Sequence, residues 1–129
     1  MCGILVFRDR GDNSRIRLRG PDRTDELRLH GFAFVHNLLS LTGDLTPQPF
    51  VDGDVVCLYN GQIYNHAYTR SDGEVIIPLY RKHGTEFARQ LDGEFAIALY
   101  DFGEGIAVFA TDPFKTKPLF INGVECASY

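Results

Sequence analysis

Three features of this 129-residue sequence predict an α+β domain. Short apolar runs recur between tight-turn signals, as antiparallel hairpins require. One stretch of helical periodicity lies mid-chain, from Ser71 to Leu91. One run, Glu94 to Asp101, is apolar on both faces and needs cover on both sides. Hairpins with helices confined to one segment argue for α+β rather than a parallel sheet. The length suits a single domain over residues 1–129, with ten Phe and six Tyr as bulky core material.

Taken in order, Cys2 to Phe7 reads as a buried strand, short and partly β-branched. Arg8 to Arg19 has no helical stripe and reads as loop, and Arg19-Gly20-Pro21-Asp22 is a turn signal. Gly31 to Leu41 is apolar enough for one or two strands. Pro47 and Pro49 mark a loop before Phe50, and Val55 to Tyr59 is a further strand. Asn60-Gly61 then reads as a hairpin turn, after which Ile63 and Tyr64 resume an extended pattern. Ser71 and Glu74 have capping-box spacing and open a helix. Val75, Ile76, Leu79, Tyr80 and His83 share one face of it, Pro78 bends it and Gly84 ends it. Thr85 to Leu91 forms a second short helix, and Asp92-Gly93 a turn. Glu94–Asp101 pairs with Ile106–Ala110 through Gly103-Glu104-Gly105. Leu119–Ile121 and Val124–Ala127 flank Asn122-Gly123 as a last hairpin.

Composition excludes several functions. A formal net charge of −4 argues against a nucleic-acid surface, and Asp9 and Asp12 interleave the arginines of the first loop. Ile4-Leu5-Val6-Phe7 is too short for a secretory signal, and no segment is long enough to span a bilayer. Three cysteines, Cys2, Cys57 and Cys126, make an odd number that fits a reducing cytoplasm. No Cys/His spacing resembles a zinc site, so no metal is expected.

The chemistry centres on Met1-Cys2-Gly3-Ile4. Removal of the initiator methionine would leave Cys2 with a thiol and a free α-amine on one carbon. The thiolate is a strong nucleophile, and an α-amine of pKa about 8 can take its proton. One residue then supplies nucleophile and general base. By itself the dipeptide reads as well, or better, as a buried strand residue.

Motifs further along, in a fixed order, reverse that balance. They are Arg19-Gly20-Pro21-Asp22, His36-Asn37-Leu38-Leu39-Ser40-Leu41, Asn60-Gly61-Gln62-Ile63-Tyr64-Asn65 and Ser71-Asp72-Gly73-Glu74-Val75-Ile76. Leu91-Asp92-Gly93-Glu94-Phe95-Ala96 and Asp112 through Lys117-Pro118-Leu119 complete the set. Over nearly the whole chain this resembles the class II glutamine amidotransferase domain, most closely the glutaminase half of asparagine synthetases. The resemblance implies a four-layer α/β/β/α sandwich of two antiparallel sheets, the N-terminal-nucleophile hydrolase type, here shortened. It implies hydrolysis of the glutamine side-chain amide to glutamate and ammonia. Cys2 would attack the amide carbon, and Asn60 with the Gly61 N–H would hold the oxyanion. Asp72 would bind the substrate ammonium, with Gln62, Leu39, Ser40 and Leu41 also at the substrate. Arg19 to Asp22 would lie beside the nucleophile.

Departures from the family pattern bear on the substrate. The family's carboxylate-binding arginine is Leu38 here, and its Asn-Gly-Glu reads Asn60-Gly61-Gln62. One charge of each sign is thus missing from the expected amino-acid clamp, unless Arg15, Arg17 or Arg28 reaches in. Only a short loop fits where the family has a helix before Arg-Gly-Pro-Asp, and Thr111 to Pro118 lacks the family's arginine and glycine. No ATP-pyrophosphatase motif and no synthetase domain is read in the sequence, so either ATP and magnesium, and the ammonia acceptor, are expected on a partner synthetase chain, or the sequence is a fragment of a longer one. The alternatives are a decayed domain that binds a partner, and an amidase for a different amide.

Overall fold

The computed structural model describes residues 2–40 and 46–129. Among these residues, nine strands form two antiparallel sheets. β1 (Gly3–Phe7), β2 (Arg23–Leu29), β3 (Phe32–Leu38), β8 (Leu119–Asn122) and β9 (Glu125–Ser128) build one, in the order β2-β3-β1-β9-β8. β4 (Phe50–Asp52), β5 (Val55–Ile63), β6 (Gly93–Asp101) and β7 (Ile106–Thr111) build the other, in that order. The predicted α+β class is the observed one.

Side-chain alternation distributes two cores. Val56, Leu58, Ala98 and Tyr100 meet Ile4, Val6, Phe34 and Cys126 between the sheets. The alternate positions Cys57, Tyr59, Phe95, Ile97 and Leu99 pack under a helical segment carrying Ile76, Ile77, Tyr80 and Phe87. β6 is therefore buried on both faces, as its apolar run requires.

The helical segment starts with the capping box read from Ser71 and Glu74. Gly73 N–H donates to Ser71 Oγ at 3.3 Å, and Ser71 N–H to Glu74 Oε1 at 3.2 Å. Instead of one bent helix, a 3-10 turn (Asp72–Val75) leads into α1 (Ile76–His83), and a second 3-10 stretch runs over Gly84–Gln90. Pro78 explains the change: with no N–H to give to the Glu74 carbonyl, it is tolerated only in the first turn of α1.

The other outer face carries much less. Arg8 to Arg19 is not all loop, because Ile16–Arg19 forms a 3-10 turn seated over β1 and β3. Reciprocal amide bonds of Asn13 with Asn37, 2.7 and 3.0 Å, anchor it, and Arg17 N–H donates to the Asn13 carbonyl at 2.8 Å. The fourth layer of the sandwich is reduced to this turn.

Three local readings are corrected. Asn60-Gly61 is not a hairpin turn: both residues lie inside β5, opposite Ala96 and Phe95 of β6. Long-range pairing with β6 overrides the local turn preference of the dipeptide. Gly93 likewise opens β6 rather than making a turn, opposite Ile63. β2, RTDELRL, has no apolar run and escapes a hydropathy reading, being an edge strand whose side chains alternate between exposed and half-buried. His30 and Gly31, both at positive φ, turn it into β3.

His36 faces the inter-sheet core, since it pairs with Ile4 on one side and Asp25 on the other. It is fully buried, and neither ring nitrogen has a hydrogen-bond partner. Burial pushes the imidazole down to about 4, opposed by the nearby Asp25 carboxylate, which Arg23 pairs at 2.7 Å. The folded pKa lies below the unfolded 6.5, so the neutral ring supports the fold above pH 6.5 and its contribution is lost as pH falls towards 4. A tenfold change in proton affinity is worth about 1.4 kcal/mol. Urea unfolding is expected to show a loss of about 2–3 kcal/mol between pH 7 and 4.5 that His36→Leu removes.

Candidate active site

Cys2 immediately precedes β1, at the end of the inter-sheet space. The Leu39 N–H donates to its Sγ at 3.4 Å, and Sγ lies 3.6 Å from the Leu39 carbonyl oxygen. β3 therefore positions the thiol by the backbone just past its last residue. Burial pushes the thiol pKa up; the Leu39 N–H opposes this, while the Asp72 and Asp22 carboxylates add to it. The thiol is protonated at neutral pH and needs a base to react.

A cavity of about 90 Å³ opens beside it. That is several times the ~10–15 Å³ that holds one water, so the cavity admits a small polar group with solvent. Cys2, Leu39, Ser40, Asn60, Gly61, Gln62 and Asp72 all line it. Every site residue read from the sequence is thus brought together, except Leu41, which lies outside the described residues, as does Met1. Leu38, Thr46, Gln48, Tyr59, Ser71 and Lys117 also line the cavity.

Asn60 is fully buried on the inter-sheet side of β5. Its Nδ2 donates to Ser128 Oγ at 3.1 Å, and its Oδ1 has no hydrogen-bond partner. A half-turn of the amide lets Ser128 donate to Oδ1 and frees an N–H for an incoming oxygen. Gly61 has φ +149°, and a Cβ there would come within 1.9 Å of the Glu94 carbonyl oxygen. The backbone beside Asn60 is thus held in a conformation, and at a separation, that only glycine permits.

Asp72 enters from the 3-10 turn before α1. Its Oδ2 accepts from the Ile63 N–H at 2.8 Å and the Tyr59 hydroxyl at 2.9 Å. Burial first, then Asp72, push the Tyr59 phenol pKa far up, so it stays a donor. Gln48, also buried, accepts the Tyr59 N–H at 2.7 Å. The Arg19–Asp22 loop lies against the end of β3. Asp22 N–H donates to the Leu38 carbonyl at 3.0 Å, and Asp22 Oδ2 accepts the Ser40 N–H at 2.9 Å.

Among the described residues, no arginine lines the cavity where Leu38 brings no charge. Arg15 and Arg17 are exposed, and Arg28 pairs with Glu26 and lies over Phe7. None of the three lines the cavity; Lys117 does. Sequence reading missed Lys117, Tyr59 and Gln48 as site residues. Lys117 stands in a quoted motif, but only the tertiary fold shows which way it faces. Among the described residues, no group of three His, Cys, Asp or Glu is placed to hold a metal ion, and no helix is long and apolar enough to cross a membrane.

A thiol heading a central strand, near a buried asparagine amide from the facing antiparallel sheet, is the layout of an N-terminal-nucleophile hydrolase sandwich in shortened form. Residues 1–128 match a family model described as a glutamine amidotransferase domain. The chain belongs to this family. It is similar to glutamine-hydrolysing asparagine synthetase 1 of Saccharomyces cerevisiae, 37% identical over 147 residues, covering 95% of this chain and 26% of the relative. Glutamine-hydrolysing asparagine synthetase of Asparagus officinalis is 35% identical over 152 residues, covering 95% and 25%. A probable asparagine synthetase of Schizosaccharomyces pombe is 33% identical, covering 93% and 26%. The chain spans about a quarter of the length of these relatives, and corresponds to their glutaminase region. The alignments exceed 129 residues, so the relatives carry insertions that this chain lacks.

Proposed function

We propose that this domain hydrolyses the side-chain amide of glutamine and delivers ammonia to a synthetase. The observation that carries the reading is the convergence of Cys2, Asn60, Gly61 and Asp72 on one cavity. Removal of Met1 exposes the Cys2 α-amine, which takes the thiol proton directly or through a water. The thiolate attacks the amide carbon, and the oxyanion is held by the Asn60 amide and the Gly61 N–H. The protonated α-amine gives its proton to the leaving nitrogen, ammonia departs and a thioester remains. Water attacks this with the same amine as base, releasing glutamate and regenerating the thiol. These groups complete the reaction without a metal or cofactor of this domain. ATP and magnesium belong to the synthetase that takes the ammonia, and a reducing cytoplasm suits a reactive thiol.

Purified, Met1-processed protein is expected to release ammonia and glutamate from glutamine in equal amounts. Asn60→Ala is expected to fold and to lower the rate about 10²–10³-fold, the usual cost of one oxyanion donor. Equal rates for Asn60→Ala and wild type would remove Asn60 from the mechanism. One observation favours a second reading: Leu38 presents a buried apolar side chain, which suits an amide lacking a carboxylate. Comparing glutamine with such an amide decides between them.

A further inference from the structure

Asn60 projects from β5 into the inter-sheet space, where it meets Ser128 of β9 in the opposite sheet. Both residues are fully buried, and they lie 68 residues apart in sequence. We infer that Ser128 is a positioning residue for the reaction. Its hydroxyl holds the Asn60 side-chain amide with Oδ1 towards β9, so that an N–H faces the reacting oxygen. The inference rests on the amidase reading, which gives Asn60 its oxyanion, and adds to that reading the group that aims the donor.

A carboxamide donates at one end and accepts at the other, so its use to an oxyanion depends on which end faces it. With Oδ1 in that place, the developing negative charge would be repelled rather than held. Ser128 Oγ lies 3.1 Å from one end of the amide, while Oδ1 at the other end is buried without a hydrogen-bond partner. A buried oxygen left unpaired is costly, and a hydroxyl can either accept or donate. Turning the amide end for end converts the same contact into a bond from the Ser128 hydroxyl to Oδ1. That orientation satisfies the oxygen and releases Nδ2 from Ser128. A hydroxyl bonded to the amide oxygen also polarises the amide and strengthens its N–H as a donor. Because both side chains are fully buried, bulk water does not compete for the bond. Position is set together with orientation. Ser128 pairs with Ile4 of β1, two residues beyond Cys2. The strand that the thiol precedes therefore holds, through its neighbour β9, the group that aims the donor from the other sheet.

The test is a double-mutant cycle on Met1-processed protein, with kcat and KM for ammonia release from glutamine read separately. Ser128→Ala is expected to lower kcat about 10- to 100-fold, part of what a whole oxyanion donor is worth, with KM within about twofold of wild type. In the Asn60→Ala background the same substitution should change kcat by less than about twofold, because no amide is left to aim. Iodoacetamide should alkylate Cys2 equally fast in wild type and Ser128→Ala, which a general disturbance of the site would not allow. An unchanged kcat in Ser128→Ala, an equal loss in the Asn60→Ala background, or a loss matched by slower Cys2 alkylation overturns the inference. Wild type that releases no ammonia overturns the amidase reading and this inference with it. Release that ignores Ser128→Ala overturns this inference alone.

Discussion

Replacing Cys2 with alanine is expected to lower ammonia release from glutamine by at least ~10³-fold and to leave the fold intact. The size follows from the proposed role of Cys2 as the nucleophile. Without the thiol no thioester forms, and what remains is catalysis by binding and by the oxyanion donors alone. The unchanged fold follows from geometry. Cys2 is half-buried, and its Sγ makes long hydrogen-bonding contacts with the Leu39 backbone, at 3.4 and 3.6 Å. Unfolding in urea should therefore shift by no more than about 1 kcal/mol. Because burial holds the thiol pKa up, alkylation of Cys2 should accelerate with pH beyond the range of an ordinary thiol. A Cys2→Ala protein that still releases ammonia would place the chemistry elsewhere.

Gly61→Ala is expected to act in the opposite way, on the structure first. A methyl group there would sit 1.9 Å from the Glu94 carbonyl oxygen and 2.7 Å from the Phe95 Cα, both backbone atoms of the central strand β6. No side-chain rotation relieves that clash. The φ of +149° adds backbone strain that alanine does not tolerate. The two together should cost about 3–5 kcal/mol, a large share of a small domain's stability. Thermal and urea unfolding measure it directly, and Asn60→Ala, which lacks both penalties, is the internal comparison. An alanine variant of wild-type stability would mean that β5 and β6 separate at this point.

These two residues also show what was legible in the sequence. The order of motifs marked Cys2, Asn60, Gly61, Gln62 and Asp72, and the fold brings them to one cavity. The conformation of Asn60-Gly61 was not legible. The dipeptide favours a two-residue turn locally, and only its register against Ala96 and Phe95 makes it strand. β6 could be read from its own pattern because burial on both faces makes it apolar throughout. β2 could not, because an edge strand exposed on one side carries Arg23, Asp25, Glu26 and Arg28 as a loop would. Lys117 marks a different limit. Its position in the cavity depends on Asp112 tying the β7–β8 connection to β6, a contact 17 residues apart in sequence. No local pattern reports it. The capping box at Ser71 and Glu74, by contrast, is a contact over three residues and is legible from their spacing alone.

Cys2, freed of Met1, is the proposed nucleophile of a glutamine site. The most direct measurement is mass spectrometry of the intact and digested protein after treatment with the glutamine-like electrophile 6-diazo-5-oxo-L-norleucine. The expected result is one adduct, on a peptide beginning at Cys2, suppressed by excess glutamine. Retained Met1, no adduct, or modification that falls on Cys57 or Cys126 and ignores glutamine would contradict it.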